Sequence, residues 1–589
     1  MIGVVPLEEL SYGFDLAGVD PGSLMDSLRA VTADLITDPA RLTIWLTGLT
    51  VSQQTVGLNA LRRLAGEHPE PVVSPAPDDK RFADQQWKSN PMLHAIVEDY
   101  LVRARALQEM VNSSRLPEAQ KRKARFAAAL LMDGLAPSNV PWLNPAVIRE
   151  AETTSGESLI RGLENFLEDV KTNGGRPRQV DASGFVLGKN LAATPGRVIV
   201  RNELMELIAY EPQTSEVYAQ PLLCSPPWIN KYYIMDLAPG RSFVEWAVRG
   251  GFQTFMISYR DPDASMAHLT MDDYLRLGVL EAIDAVQRFT GAKKVNLAAL
   301  CLGGTLALLA LAHLAAIGDA DRIGWATVTN TLVDFAEPGD LAVFTDDKAV
   351  EQLEKRMSER GYLEAQEMAG TFNWLRANDL VWSYVVSNWF MGRKPPAFDI
   401  LAWNADSTRM PAAMHSQYLR ACYQRNAIVK PGAFAVCGTP IDLGKVRTPL
   451  YVLGAENDHI APWRAAYSTT QLVGGDAKFT LTSSGHIAGI VNPPDGQKAR
   501  YWSKPQAKKG ENADVWLSTA TRHDGSWWQE WMAWAQQRSG PKRPAWKLPD
   551  GEPAPGKYVV DQTGPTFDLP SRPQRRSSAR RSKENKHGG

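Results

Sequence analysis

Cysteine is scarce in this sequence, with four residues among 589. Cys224, Cys301, Cys422 and Cys437 form no C-x-x-C pattern, so the sequence predicts neither a disulfide framework nor a zinc site of that kind. This usage fits a reducing, cytoplasmic compartment. The first ten residues, MIGVVPLEEL, carry acidic side chains where a signal peptide needs basic ones, and we expect no secretion.

An excess of charge of either sign is also absent. The formal net charge is −1 at pH 7 and the isoelectric point is about 6.8, so no overall basic field favours a nucleic-acid partner. Only the segment 571–589 is strongly basic. We interpret this segment as a disordered, solvated tail, with an electrostatic tether to an acidic partner or to nucleic acid as the alternative.

One stretch, residues 295–318, lacks Asp, Glu, Lys and Arg altogether and is long enough for a membrane-spanning helix. Two features argue against a span. The glycines Gly303 and Gly304 fall inside the stretch, and Asn296 and Thr305 interrupt it with polar side chains. We therefore predict a strand buried on both faces that turns into a buried helix, and no membrane span.

The turn within this stretch has the pattern of a nucleophile elbow. Residues 297–304 read LAALCLGG, where Cys301 takes the serine place of the pattern G-x-S-x-G and Ala299 takes the place of its first glycine. Small neighbours are needed because the nucleophile sits on a strained turn, where a Cβ would collide with the adjacent strand or helix. Cys301 is the candidate nucleophile, although a buried cysteine often only fills space.

The segments around the elbow predict an α/β protein. Helical patterns dominate residues 1–190, which we predict to form an α-rich N-terminal domain. Over residues 191–545, short apolar strands alternate with helical segments, which is typical of a mostly parallel sheet with right-handed crossovers. Together with the elbow, this alternation indicates the α/β-hydrolase fold. Residues 546–589 are predicted to be an extended C-terminal segment followed by the basic tail.

A helical insertion at about 331–440 interrupts the alternation and is predicted to form a cap subdomain over the active site. The insertion is rich in aromatic side chains, which we expect to keep water out of the site. These residues are Phe372, Trp374, Trp382, Tyr384, Trp389, Phe390, Phe398 and Trp403.

Two downstream residues complete a candidate triad with Cys301. In this fold the chain order is nucleophile, acid, histidine, and active sites lie beyond the carboxyl ends of the strands. Asp458 follows a predicted strand at 449–454, and His486 follows one at 478–482. We expect His486 to deprotonate Cys301, and Asp458 to hold the imidazole tautomer or assist a substrate hydroxyl.

The backbone N–H groups of Leu302 and Ile229 are predicted to form the oxyanion hole of this site. Structural alternatives exist for the triad as well, since Asp458 could form an Asx-turn and His486 could be a satisfied buried histidine. The agreement of three positions in the expected chain order favours the catalytic interpretation.

Longer stretches carry a resemblance to a known family. The chain resembles the polyhydroxyalkanoate synthases, most of all those of class I, over roughly residues 80–560. The stretches that match are DKRFADQQW at 79–87, SGESL at 155–159, PPWINKYYIMDL at 226–237, SYRDPDASM at 258–266, LCLGG at 300–304, LRANDLVWSYVV at 375–386, FDILAWNADSTRMP at 398–411, NDHIAPW at 457–463, SGHIAGIVNPP at 484–494, GSWW at 525–528 and EPAPGKYV at 552–559.

The resemblance implies an acyltransferase that polymerises (R)-3-hydroxyacyl-CoA, with 3-hydroxybutyryl-CoA as the favoured monomer, through a covalent cysteine thioester. It places the catalytic cysteine, aspartate and histidine on Cys301, Asp458 and His486. CoA is then a leaving group, and neither a metal nor another cofactor is implied. The implied partners are the growing polyester, the surface of a cytoplasmic granule, a second copy in a homodimer and phasin-type granule proteins.

Ala299 departs from the family pattern G-x-C-x-G-G, and we expect it to be tolerated because alanine is the smallest replacement. The nearest alternative function is a Cys-His-Asp thioesterase or polyester hydrolase, with water as the acyl acceptor. A granule-associated scaffold without activity is a more distant alternative. The long series of matching stretches and the aromatic cap favour polymerisation.

Overall fold

The computed structural model describes residues 21–496 and 499–560. The predicted tail at 571–589 and the N-terminal sequence that argued against secretion lie outside the described residues. Within the described part of the chain, no helix combines the length and the apolar character that crossing a membrane requires.

Among the described residues, six helices of at least nine residues precede the sheet. They are α1 (Pro21–Ile36), α2 (Pro39–Leu64), α3 (Pro91–Asn112), α4 (Glu118–Gly134), α5 (Pro145–Thr153) and α6 (Glu157–Thr172). Three of them begin with proline after an Asp or Asn cap, because proline needs no hydrogen-bond acceptor in the first turn. Leucines and valines of α1 pack against α3 and the alanine-rich face of α4. The predicted α-rich N-terminal region is therefore confirmed.

Ten strands form one sheet. They are β1 (Gly196–Arg201), β2 (Met205–Tyr210), β3 (Leu222–Ser225), β4 (Thr254–Tyr259), β5 (Val295–Leu300), β6 (Ile323–Thr329), β7 (Leu450–Ala455), β8 (Ala477–Thr482), β9 (Arg500–Ser503) and β10 (Thr521–Asp524). The order across the sheet is β1-β2-β4-β3-β5-β6-β7-β8-β9-β10. The six central strands in this order, β4-β3-β5-β6-β7-β8, run parallel to one another. Antiparallel strands flank them on both sides, with β1 and β2 at one edge and β9 and β10 at the other.

Helices cover both faces of this sheet and form the cap. They are α7 (Phe243–Arg249), α8 (Glu281–Thr290), α9 (Leu302–Ala316), α10 (Asp347–Arg360), α11 (Ala365–Leu375), α12 (Asp399–Ala405), α13 (Ala412–Tyr418), α14 (Trp463–Leu472), α15 (Ala513–Thr519) and α16 (Trp527–Gln536). Helix α9, directly after β5, is buried almost throughout, which explains its lack of charge. The predicted α/β-hydrolase fold with a helical cap is confirmed.

Two features of this fold have no local signal in the sequence. The helical stretch before β5 contains a π-helical segment, Tyr274–Leu280, between two α-helical parts. Strands β9 and β10 were not predicted, because each has only four residues and most of their side chains are polar. They become strands by antiparallel pairing at the sheet edge.

The cap lies between β6 and β7. Besides α10 to α13 it contains three π-helical segments, Asn378–Trp382, Val385–Phe390 and Leu419–Gln424. Besides the packing of Phe344 against Phe126 of α4, with ring centroids 5.3 Å apart, it contacts the N-terminal helices in two further places. On α6, Phe166 meets Trp389 with ring centroids 5.0 Å apart, and the Trp389 indole donates a hydrogen bond to Asp169 at 2.8 Å.

The second contact between cap and N-terminal helices is polar and centres on Arg81. Its guanidinium donates to Asp79 at 2.9 Å, to Asp133 at the end of α4 at 3.3 Å, and to Asn378 of the cap at 3.3 Å. Asn378 in turn donates to the same Asp133 carboxylate at 2.5 Å. This closed group of hydrogen bonds, here called the Arg81 bridge, ties the cap to the N-terminal helices.

The chain returns to the far edge of the sheet at its described C-terminal end. Val198 of β1 donates to the Glu552 carbonyl at 2.9 Å, and Ala554 donates to the Gly196 carbonyl at 2.9 Å. The buried Glu206 carboxylate accepts from the Lys557 and Tyr558 backbone N–H groups at 3.0 and 3.1 Å. This part of the predicted extended C-terminal segment is therefore an integral edge of the sheet.

Candidate active site

Cys301 stands at the junction of β5 and α9, where the chain reverses direction. Its backbone has φ 51° and ψ −120°, a region that side-chain-bearing residues rarely adopt. The strained residue is held in place, since its N–H donates to the Thr329 carbonyl at 2.9 Å and its own carbonyl accepts from the Thr331 hydroxyl at 3.2 Å. The partly buried thiol lies on the cavity described below.

Close packing explains why small residues surround Cys301. A Cβ added to Gly303 would overlap the Ser225 and Pro226 carbonyl oxygens, and one added to Gly304 would overlap the Thr331 side chain. The Cβ of Ala299, in contrast, is buried without such a conflict in the centre of the sheet. The departure at Ala299 therefore leaves the elbow geometry intact.

We expect Ala299→Gly and Gly303→Ala to differ in their effect on stability. Ala299→Gly adds backbone freedom to the unfolded chain and should lower the free energy of unfolding by about 1 kcal/mol, with activity kept. Gly303→Ala pushes a methyl group into fixed backbone and should destabilise by about 3 kcal/mol and abolish activity. Denaturant unfolding of both variants beside the wild type measures this difference. Equal stability of the two variants would contradict the packing argument.

Asp458 and His486 meet on the loops that follow β7 and β8. His486 Nδ1 lies 2.6 Å from Asp458 Oδ2, and both side chains are buried. The second carboxylate oxygen of Asp458 accepts from the Ile460 and Ala461 N–H groups at 2.9 and 2.8 Å, so its orientation is fixed. The Asx-turn considered as an alternative is thus present, and the same carboxylate also holds the histidine.

The His486 ring lies between Asp458 and Cys301. Because Nδ1 faces Asp458, Nε2 is the nitrogen left for the Cys301 side chain, which lines the same cavity. Burial by itself would lower the pKa of His486, but the negative charges of Asp458 and of the Cys301 thiolate outweigh it and hold that pKa well above its ordinary value. The arrangement therefore favours a protonated imidazole beside Asp458 and Cys301.

Asn330 is a positioning residue that the sequence pattern did not reveal. It follows β6 directly, has φ 46°, and its side-chain amide donates to the His486 backbone carbonyl at 2.5 Å. Its own N–H donates to the Leu453 carbonyl of β7 at 2.8 Å. Asn330 thereby ties the histidine loop to two neighbouring strands.

The two predicted oxyanion-hole residues, Leu302 and Ile229, both line the cavity beside Cys301. Leu302 is the first residue of α9, and among the described residues nothing accepts a hydrogen bond from its N–H or from that of Ile229. The turn that carries Ile229 is fastened by the cap, since Thr408 donates to the Trp228 carbonyl at 3.3 Å. Two unpaired N–H groups near the nucleophile suit a developing oxyanion.

A cavity of about 230 Å³ lies between the triad and the cap. Cys301 and His486 form its floor. Its walls include cap residues that the sequence pattern did not single out. Among them are Phe344, Leu353, Leu363, Met368, His415, Tyr418 and Tyr423. Burial raises the pKa of the Tyr418 and Tyr423 hydroxyls, so both stay protonated near Cys301. The site is an apolar chamber with a few hydrogen-bonding groups.

The expectation that eight aromatic residues of the cap shield the site is met by only two. Phe372 and Trp403 line the cavity. Trp374, Trp382 and Trp389 instead line a separate cleft toward α6. The aromatic content of the cap therefore serves its packing on the N-terminal helices as well as the site.

The remaining candidates for chemistry, His459 and the other three cysteines, do not belong to the triad. His459 lines the cavity, and its carbonyl accepts from the Asp340 N–H at 3.2 Å. Cys224 and Cys422 are buried in the core, as expected for residues that fill space, and Cys437 is partly buried. In the described part of the chain, no three His, Cys, Asp or Glu side chains are grouped so as to hold a metal ion.

A strained cysteine elbow on a mostly parallel sheet, with aspartate and histidine on later loops, defines a protein of the α/β-hydrolase fold. The family model described as the alpha/beta hydrolase fold matches residues 228–493. A second family model, the N-terminus of poly-beta-hydroxybutyrate polymerase (PhaC), matches residues 78–247.

Similar proteins narrow this class further. The chain is 42% identical to the poly(3-hydroxyalkanoate) polymerase of Methylorubrum extorquens over 541 residues, which cover 90% of this chain and 89% of the relative. It is 40% identical to the PhaC subunit of Cupriavidus necator over 492 residues, 82% and 83% of the two chains. It is 38% identical to poly(3-hydroxyalkanoate) polymerase 2 of Ectopseudomonas oleovorans, with 94% and 98% covered. The chain belongs to the poly(3-hydroxyalkanoate) polymerase family and is an acyltransferase.

Proposed function

We propose that this protein polymerises (R)-3-hydroxyacyl-CoA, with 3-hydroxybutyryl-CoA as the favoured monomer, and releases CoA through a thioester on Cys301. The observation that carries the proposal is the buried pair of Asp458 and His486, 2.6 Å apart, facing a cysteine on a strained elbow beneath an apolar cap. Cys301 acts as nucleophile, His486 as general base and acid, and Asp458 orients the imidazole.

In the acylation step, the Cys301 thiolate attacks the thioester carbonyl of the substrate. The tetrahedral oxyanion accepts hydrogen bonds from the Leu302 and Ile229 N–H groups. The carbon–sulfur bond to CoA then breaks, and the His486 imidazolium supplies a proton to the leaving thiolate. A thioester replaces a thioester in this step, so no other energy source is needed.

In the elongation step, the 3-hydroxyl group of another unit attacks the thioester on Cys301. His486 takes the hydroxyl proton, an oxoester forms, and the bond to the Cys301 sulfur breaks to regenerate the thiolate. The chain is longer by one unit. One histidine thus serves a thiol and a hydroxyl at different steps, which suits its place between Asp458 and Cys301.

Water competes with the hydroxyl group in the second step. If water were the acceptor, the same triad would act as a thioesterase or a polyester hydrolase. The cavity walls oppose this outcome, because leucine, methionine and aromatic side chains of the cap surround the nucleophile. The proposal includes no metal and no cofactor, with CoA only as the leaving group.

We also propose that the protein is located at granules in the cytoplasm. Its proposed partners there are the polyester surface, a second copy of the chain and phasin-type proteins. The support for this proposal is a set of exposed apolar side chains on α2, which are Ile44, Leu46, Val51, Leu58, Leu61 and Leu64. Such a surface suits an apolar partner. Sedimentation with purified polyester granules tests the contact, and a chain that stays in the supernatant would oppose it.

The fate of the acyl group tests the proposed function. Purified protein is incubated with (R)-3-hydroxybutyryl-CoA, and soluble acid is then separated from insoluble polyester. We expect stoichiometric CoA release with polyester as the product. Free 3-hydroxybutyrate as the sole product would instead establish a thioesterase.

A further inference from the structure

A second histidine, His415, lies in the wall of the catalytic cavity. It belongs to α13 in the cap, one helical turn before Tyr418, and the two rings have centroids 6.3 Å apart. Cys301 and His486 line the same cavity. The triad chemistry described above makes no use of His415.

The surroundings of His415 are unusual for a polar side chain. It is 3% exposed, and among the described residues its Nδ1 has no hydrogen-bond partner. No charged group offsets its burial, which lowers the pKa of His415 to about 4 and keeps the imidazole neutral. A neutral imidazole carries one N–H donor and one acceptor nitrogen.

A buried polar nitrogen without a partner destabilises the folded protein, and native structures rarely leave one without a reason. The cavity supplies a reason here, because the group that fills it brings hydrogen-bonding atoms with it. A 3-hydroxyacyl group has a hydroxyl that donates and accepts, and a polyester has a carbonyl acceptor in every unit. The wall near α13 also carries the Tyr418 and Tyr423 hydroxyls, but His415 is the imidazole there, with one donor and one acceptor nitrogen.

We propose that His415 is a substrate-binding residue that forms a hydrogen bond with an oxygen atom of the acyl chain, either the 3-hydroxyl of the unit on Cys301 or an ester carbonyl of the growing polyester. The proposal rests on the proposed function. Helix α13 then contributes to substrate specificity, because it favours 3-hydroxyacyl and polyester chains over unsubstituted fatty acyl chains.

Two substitutions at His415 test this assignment. His415→Phe keeps a ring and removes the hydrogen bond, whereas His415→Gln keeps a donor and an acceptor. His313→Phe is the matched control, since His313 is also buried with an unpartnered Nδ1 but lies on α9 outside the cavity. Each protein is assayed for first-turnover CoA release from (R)-3-hydroxybutyryl-CoA and from butyryl-CoA, and for continued polymerisation.

The informative quantities are ratios within one sample, because a variant that is partly unfolded loses all rates in proportion. If His415 binds the 3-hydroxyl, His415→Phe lowers the ratio of hydroxybutyryl to butyryl first turnover about 10-fold, the effect of one hydrogen bond. If His415 binds an ester carbonyl, both first turnovers are kept and the ratio of elongation to first turnover falls instead. In either case His415→Gln restores most of the ratio, and His313→Phe leaves it unchanged.

The proposal is overturned if His415→Phe keeps both ratios within about twofold of the wild type, a change too small for a lost hydrogen bond. It is also overturned if His415→Gln is as impaired as His415→Phe, since the effect would then be one of packing. A wild-type protein that forms no polyester from (R)-3-hydroxybutyryl-CoA would instead refute the proposed function, and the two failures are distinguished by the wild-type reaction alone.

Discussion

Replacing Cys301 by alanine is expected to abolish CoA release and polyester formation from (R)-3-hydroxybutyryl-CoA, with a loss of more than about 1,000-fold, because the variant has no atom to carry the acyl group. The fold should survive, since alanine occupies the same positive-φ backbone with a smaller side chain. The measurement is CoA release at matched protein concentrations, together with mass spectrometry of the acylated protein.

Cys437→Ala is the matched control for this result. Cys437 is also partly buried and also has a positive φ, of 49°, but it lies outside the catalytic cavity and its thiol contacts the Asp272 carbonyl at 3.6 Å. We expect Cys437→Ala to retain activity and acyl labelling. CoA release by Cys301→Ala at the wild-type rate would refute Cys301 as the nucleophile and with it the thioester mechanism.

Asp458→Asn is expected to lower kcat/KM by about 100-fold to 10,000-fold while leaving the backbone in place. The Asn oxygen can keep the hydrogen bonds from the Ile460 and Ala461 N–H groups. Its amide then points an N–H donor at His486 Nδ1, which must become an acceptor. The ring proton moves to Nε2, and this tautomer cannot take the proton of Cys301.

The pH dependence separates this explanation from simple misfolding. Asp458 helps to raise the pKa of His486, so the substitution lowers that pKa. In the pH profile of Asp458→Asn, the limb that reports the titration of His486 should therefore move to lower pH than in the wild type. A variant whose profile has the wild-type shape would argue against this role.

Asp236→Asn provides the control for a buried carboxylate. Asp236 is 1% exposed and accepts from the Thr194 and Ser242 hydroxyls at 2.5 and 2.7 Å, bonds that an asparagine oxygen can also accept. It does not line the catalytic cavity. We expect Asp236→Asn to keep its activity and its pH profile.

The positions of the candidate triad could be predicted because each residue follows an apolar strand directly. Cys301, Asp458 and His486 depend on local signals, namely a short strand, a turn and the chain order of the fold. The walls of the cavity could not be predicted in this way. Tyr418 and Tyr423 reach the site only through the arrangement of the cap helices, and their sequence neighbourhood gives no period or turn that marks them.

The strands of the sheet likewise differ in how far their own sequence predicts them. The hairpin of β1 and β2 and the parallel strands were predictable from their apolar runs, whereas β9 and β10 depend on pairing with β8. Trp389 illustrates the limit within the cap. Its aromatic character suggested a place in the active site, but its ring packs on Phe166 of α6, which is more than 200 residues earlier in the chain.

The Arg81 bridge links access to the catalytic chamber with the state of the N-terminal helices. Asn378 stands two residues before Leu380, whose side chain is part of the chamber wall. Any outward swing of this cap segment must therefore part Asn378 from Arg81 and Asp133. A molecule that binds the N-terminal helices more tightly when the Arg81 bridge is broken would shift the equilibrium toward an open cap. The size of the shift is the difference in its affinity for the two states. Opening of the cap at this segment would therefore depend on contacts that the N-terminal helices make, far from the thiol.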